Sequence, residues 1–212
     1  MTDLQVFDCE QNSPDWFAAR MGIPTASEFS TLLAKGRGGG ESVTRRKYML
    51  TLAAQVITGE FVQAWGGNEH TERGHAMEEE ARQFYSFQKD ADPIRVGFMR
   101  RGRAGASPDS LIGERGLLEI KTKLPHLQLE VLEQDRLPPE HVAQVQGQLL
   151  VSGRDYCDFV SYWPKLPLFV KRVERDETCI AMLTQAIADF NGELDLIVNK
   201  YQPNGSQLKE AA

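Results

Sequence analysis

Apolar positions recur at helical spacing through the first ninety residues, then switch to short alternating runs. Ser13-Pro14-Asp15-Trp16 sets a helix start, with Ser13 as N-cap and Pro14 at the first helical position. That helix is predicted to run to about Met21 and stop at Gly22. Thr25 opens a second helix, with Glu28 three residues on as a capping box. Ser42 to Thr58 has helical spacing and ends at Gly59, and Glu69 to Gln88 predicts a longer helix burying Met77, Ala81 and Phe84. Between these, Lys35 to Glu41 holds four glycines and two basic residues and reads as a mobile loop. It lacks the Gly-Lys-Ser/Thr ending of a phosphate-binding P-loop.

Arg95 to Arg101, Ala104 to Ser107 and Leu117 to Thr122 predict a three-stranded meander. Helical spacing returns over Glu140 to Ser152, with Val142, Val145 and Leu149 on one face. Asp155 to Trp163 and Leu168 to Glu174 predict a hairpin turning through Pro164-Lys165-Leu166-Pro167. A last amphipathic helix spans about Glu177 to Asn199, with Ile180, Leu183, Ile187, Phe190, Leu194 and Ile197 inward, and the tail after Pro203 reads as frayed. The order predicts an α/β (α+β) fold with a mixed central β-sheet flanked by helices. It reads as one domain over residues 1–212: a helical part at about 13–90, a sheet core at about 94–175 and a closing helix at about 177–199.

Length and composition are ordinary for a globular chain, at 212 residues, 41% hydrophobic and 25% charged. No stretch approaches the ~20 apolar residues of a membrane span, so no membrane partner is expected. Met1 to Glu10 carries Asp3, Asp8 and Glu10 and no basic residue, unlike a signal peptide. Cys9, Cys157 and Cys179 are scattered, show no metal-ligand spacing, and suit reduced thiols in a cytoplasm. The net charge of −6 argues against a broad surface coated by DNA. Local contact remains open at Lys35-Gly36-Arg37, Arg45-Arg46-Lys47 and Arg100-Arg101-Gly102-Arg103, which equally suit solvated surface.

The chemistry concentrates between Ser107 and Lys121. Ser107-Pro108-Asp109 precedes Glu119-Ile120-Lys121 by ten residues. In a strand Glu119 and Lys121 share one face while Leu118 and Ile120 turn to a core. If the strands pair, Asp109 and Glu119 converge. Carboxylates are natural Mg²⁺ ligands, and an adjacent lysine can orient water or stabilise developing charge, as metal-dependent phosphodiester hydrolysis requires. The same pattern also suits a hairpin with an exposed charged face. Glu78, beside the buried Met77, can bring a third carboxylate to the sheet edge, whereas Glu79 and Glu80 read as solvated.

Gln144 and Gln148 stand four apart on one helical face with His141, where amides can hold a water or a phosphate or simply be solvated. His70, His75, His126 and His141 show no zinc spacing. Arg20 and Ser27 bracket the turn Met21 to Ala26; an arginine plus a hydroxyl at a helix start can hold phosphate, or be a surface arginine and an ordinary cap.

Taken in order, Trp16-Phe17-Ala18-Ala19-Arg20, Thr25-Ala26-Ser27-Glu28, Arg73-Gly74-His75-Ala76-Met77-Glu78, Ser107-Pro108-Asp109, Leu118-Glu119-Ile120-Lys121 and Ala143-Gln144-Val145-Gln146 resemble the λ-exonuclease type of alkaline exonuclease. These YqaJ-like viral recombinases belong to the restriction-endonuclease-like superfamily, and the resemblance spans roughly residues 13–190. It implies a restriction-endonuclease-like core and a 5′→3′ exonuclease that digests one strand of double-stranded DNA to leave a 3′ overhang. It implies Mg²⁺, with Mn²⁺ able to substitute, bound by Asp109, Glu119 and the Ile120 carbonyl, with Glu78 at a second metal. Lys121 would position or deprotonate the attacking water, Gln144 would stand beside it, and Arg20 and Ser27 would hold the 5′-terminal phosphate. A ring-shaped homotrimer, a single-strand annealing protein as partner, and a phage or prophage origin in a bacterial cytoplasm are also implied. Endonuclease action within the same superfamily, or an inert DNA-binding scaffold, are the competing readings. The chain departs from the λ-type pattern after the lysine, where Thr122-Lys123-Leu124-Pro125 replaces Cys-Pro.

Overall fold

The computed structural model describes residues 3–61 and 69–202. The tail after Pro203 and the side chains of His70, Arg73 and His75 lie outside the described residues. In chain order the elements are β1 (Leu4–Phe7), α1 (Pro14–Arg20), α2 (Phe29–Leu33), α3 (Val43–Thr58), α4 (Glu69–Lys89), β2 (Pro93–Ile94), β3 (Phe98–Arg101), β4 (Ala104–Ala106) and β5 (Ser110–Ile112). There follow β6 (Gly116–Thr122), α5 (Pro125–Gln134), α6 (Pro139–Ser152), β7 (Tyr156–Tyr162), β8 (Phe169–Glu174) and α7 (Glu177–Tyr201).

Local chemistry explains most boundaries. Ser13 caps α1, its side chain accepting from the Trp16 N–H with Pro14 behind it. Ser42 caps α3 in the same way, and Gly59 ends α3 at φ 70°, where a side chain would be strained. The expected capping box at Thr25 does not form. Ala26–Glu28 is instead a single 3₁₀ turn without a side-chain cap, and Glu28 accepts from Thr31. On α4 the buried stripe is Met77, Ala81 and Tyr85, while Phe84 is exposed, a correction of one position. Val142 on α6 is also exposed, leaving Val145 and Leu149 as its buried pair.

The predicted meander is two sheets. β1, β3 and β4 form a small antiparallel sheet, and β2-β5-β6-β7-β8 form a larger one. In the larger sheet β6 and β7 run parallel and the other neighbours antiparallel, so it is mixed. Pro108 has no N–H to give a ladder and sits where the chain leaves one sheet for the other. Ser107-Pro108-Asp109 is that crossing, and Asp109 stands at the threshold of β5.

Alternation on β6 sorts its side chains to two covered faces. Leu118 and Ile120 pack with Met77, Ala81 and Tyr85 of α4. Leu117 points the other way, to Val131 of α5 and Val145 and Leu149 of α6. The larger sheet therefore lies between α4 and the α5/α6 pair. A third apolar cluster joins α2, α3 and α7 to the small sheet through Phe29, Met49, Met99 and Phe190.

Candidate active site

Asp109 and Glu119 are brought together by the β5–β6 pair, one strand later than the sequence pattern suggested. Ser110 lies opposite Leu118, and the Asp109 N–H extends the ladder by donating to the Leu118 carbonyl at 3.1 Å. The next rung is a side chain: the Ile120 N–H donates to Oδ2 of Asp109 at 2.5 Å. An extended residue sends its N–H and C=O to the same edge. The Ile120 carbonyl therefore faces the edge that Asp109 occupies.

Glu119 turns to the opposite face and is 1% exposed. A buried carboxylate needs donors, and it has three. Gln144 and Gln148 of α6 give Nε2 hydrogens to its two oxygens, each at 2.6 Å, and Lys121 Nζ lies 2.6 Å from Oε1. The four-residue spacing on α6 matches the two oxygens of one carboxylate. Gln144 and Gln148 thus hold Glu119 as equal partners.

Glu78 is held by Arg82, one turn along α4, at 2.6 Å. Arg82 is buried, also pairs with Glu79, and donates Nε to the Ser110 hydroxyl at 3.0 Å. That hydroxyl donates to the Asp109 carbonyl at 2.6 Å. One guanidinium therefore ties the Glu78 helix to the Asp109 strand. Sequence reasoning missed it, because an arginine on a charged helix gives no sign of burial. Glu79, read as solvated, pairs with both Arg82 and Arg95.

The field at the site is negative. Burial, then Glu119 and Glu78, push the Asp109 carboxyl well above the usual carboxylate range, against the opposing pull of Lys121 and the Ile120 N–H. Burial works against the charge of Lys121, yet Glu119, Asp109 and Glu78 outweigh it and hold its pKa above that of ordinary lysine. Among the described residues no three His, Cys, Asp or Glu side chains already converge as a metal cage. The donor set nonetheless fits a hard divalent cation: three carboxylates act electrostatically on one another with a single lysine among them. Asp109, Glu119 and the Ile120 carbonyl would hold it, with Glu78 swinging from Arg82. A cleft of about 520 Å³, lined by Asp8 to Asn12, Arg95 to Gly97, Glu78, Arg82 and Asp109, opens onto this edge.

Arg20 and Ser27 come together through Thr25. Arg20 donates to the Thr25 hydroxyl at 3.2 Å, and the Thr25 and Ser27 hydroxyls are 3.3 Å apart. The Arg20 guanidinium lies 4.1 Å over the Trp16 ring, whose Nε1 donates to the Ser107 hydroxyl at 2.8 Å. The Arg20–Thr25–Ser27 group is thereby linked to the Ser107-Pro108-Asp109 segment. The basic clusters behave differently. Arg45 makes a bidentate pair with Glu193, Arg103 pairs with Asp195, and Arg101 bonds the Val151 and Ser152 carbonyls.

Comparison with known proteins adds the family. Residues 15–155 match the YqaJ-like viral recombinase domain. The chain belongs to the YqaJ-like viral recombinase family. Within solved structures it is similar to the alkaline exonuclease LHK-Exo from Laribacter hongkongensis, at 32% identity over 92% of this chain and all of that one, with a TM-score of 0.80. LHK-Exo in complex with dAMP gives a TM-score of 0.82 at the same identity and coverage. A phage-related exonuclease from Haemophilus somnus shares the fold at a TM-score of 0.63 and 14% identity, covering 84% of this chain and 96% of that chain. No curated protein matches the chain. The helix-flanked mixed sheet of this YqaJ-like protein is the restriction-endonuclease-like core that the resemblance implied.

Proposed function

We propose that this YqaJ-like chain is a Mg²⁺-dependent exonuclease, acting as one nuclease domain, that digests the 5′-ended strand of linear double-stranded DNA. The product would be a 3′ single-stranded overhang for recombination by strand annealing. The observation that carries this reading is the grouping of Asp109, Glu119 and Lys121 where the start of β5 meets the central strand β6, within the field of Glu78. The likeness to an alkaline exonuclease at 32% identity supports the same chemistry.

A bound Mg²⁺ would supply an acidified water and neutralise charge developing on the phosphate. The protein's own residues divide the remaining work. Asp109 and Glu119 present hard oxygens from adjoining strands, and Gln144 and Gln148 fix the orientation of Glu119. Lys121, 2.6 Å from Glu119, would position the attacking water and, as an ammonium, stabilise negative charge developing on the phosphate. Arg20 and Ser27 would hold the 5′-terminal phosphate, and the Trp16–Ser107 bond would register that end against Asp109. Mn²⁺ would substitute for Mg²⁺. Assembly as a homotrimeric ring would retain DNA topologically, which suits a chain of net charge −6. A single-strand annealing protein would receive the overhang in a bacterial cytoplasm.

The test is digestion of end-labelled linear duplex, with 5′-phosphate or 5′-hydroxyl ends, with and without Mg²⁺. Metal-dependent loss of the 5′-phosphorylated strand, with circular plasmid spared, is the expected result. A nicked plasmid would overturn the exonuclease reading, and digestion unaffected by EDTA would overturn the metal. Equal rates on the two end types would remove the role given to Arg20 and Ser27.

A further inference from the structure

The face of β6 that carries Glu119 and Lys121 continues by one more residue. The Lys123 N–H donates to the Tyr162 carbonyl at 3.1 Å, so the chain stays extended beyond β6 and Lys123 keeps the alternation. Glu119, Lys121 and Lys123 form one row at about 6.6 Å intervals. Opposite runs a second row on α6: Gln148 and Gln144 on Glu119, then His141 on Lys123 at 3.2 Å. An ammonium has only donors, so the His141 Nε2 accepts. The imidazole is itself seated on the Phe159 ring, with centroids 5.2 Å apart.

Lys123 is 14% exposed, and its one carboxylate partner among the described residues, Glu140 at 3.2 Å, is 61% exposed. Surface ion pairs of this kind contribute little and exchange readily. The lysine is held in place by a neutral ring and neutralised only loosely. It lies two residues from Lys121, a distance close to the separation of adjacent phosphates on one strand. Lys123 is also where the sequence departs from the λ-type pattern, in Thr122-Lys123-Leu124-Pro125.

We propose that Lys123, seated on His141, is a phosphate-binding subsite that holds the substrate backbone one phosphate away from the scissile one. This rests on the exonuclease reading above. Phosphate would displace Glu140 from the ammonium, leaving His141 and the extended backbone to hold it. Lys123 is then a positioning residue for DNA and takes no part in the chemistry.

The experiment measures binding of 5′-phosphorylated duplex by fluorescence anisotropy across a salt series, with cleavage followed in parallel in Mg²⁺. Lys123→Ala is expected to weaken binding roughly 3–10-fold and to lower the slope of log K against log salt by about one. Lys123→Arg should restore both. Glu140→Gln should tighten binding, because the competing carboxylate is gone, whereas a purely structural ion pair would make it mimic Lys123→Ala. Unchanged affinity and slope in folded Lys123→Ala, or weakened binding in Glu140→Gln, overturns the subsite. Cleavage by the parent protein reports separately on the exonuclease reading, so a parent that cuts beside a silent Lys123→Ala condemns the subsite alone.

Discussion

Tyr85 on α4 donates its hydroxyl hydrogen to Oδ2 of Asp158 on β7 at 2.7 Å, with both residues buried. Asp158 also receives two bonds of 2.8 Å from Arg172 on β8. With the Arg82–Ser110 bond, this pins α4 to the sheet at two successive turns, on the helix that carries Glu78. Tyr85→Phe keeps the ring and removes the donor. Asp158 keeps Arg172, so the expected cost is at the lower end for a bond to a charged acceptor, about 1–2 kcal/mol. Urea denaturation checks this; an unchanged midpoint would show that the bond contributes nothing.

The segment carrying Ser27 rests on α6 through a missing side chain. A Cβ built on Gly147 would lie 2.3 Å from Cδ2 of Phe29 and 3.3 Å from the Ala26 Cβ. Phe29 is fully buried and has nowhere to swing. Gly147→Ala gains about 1 kcal/mol of helix propensity but overpacks the contact at a cost of about 1–3 kcal/mol. The variant is expected to be less stable in thermal unfolding. It should also bind duplex ends more weakly, since residues 26–29 would be displaced. A raised Tm would mean that the two elements slide apart without cost.

These two contacts mark where the sequence stopped being readable. The long helices were legible because their stripes repeat over many turns, as Ile180 to Ile197 does on α7. β1, β2 and β5 were not, being two to four residues long and formed by pairing with distant partners. α5 escaped notice because only Gln128 and Val131 are buried, too few to trace a stripe. In the candidate site, the convergence of Asp109 and Glu119 and the shared face of Glu119 and Lys121 were legible from residue type and alternation. Arg82 and Ser110 were not, because their role comes entirely from burial and from the order in which strands meet.

Under the proposed function, Lys121 is the residue whose removal would separate chemistry from binding. Its amine contacts Glu119 at 2.6 Å, and Glu119 retains Gln144 and Gln148 without it. Lys121→Ala should therefore fold and bind duplex DNA while cleavage falls by about 10²–10³-fold, the range for removing one group that stabilises developing charge. Single-turnover digestion of saturating duplex is the measurement. Normal digestion by the variant would remove Lys121 from the mechanism.

On the proposed function, Asp109 is expected to link metal, protons and stability. Burial, Glu119 and Glu78 raise its folded pKa, so folding favours its protonated form. A raised folded pKa gives a contribution fully present below the ordinary carboxylate value of about 4, and lost as pH rises through the folded pKa. The metal-free protein should thus lose stability as pH climbs from about 4 through that range. A divalent cation binds the ionised carboxylates and must displace the proton, so it binds more tightly as pH rises. The increase in Tm on adding Mg²⁺ is therefore expected to be small near pH 5 and to grow toward pH 8. Asp109→Asn should remove this growth, since its amide holds no proton to displace. Scanning calorimetry of both proteins with and without Mg²⁺ decides the matter. An increment independent of pH in the parent protein would show that Asp109 does not exchange its proton for the metal.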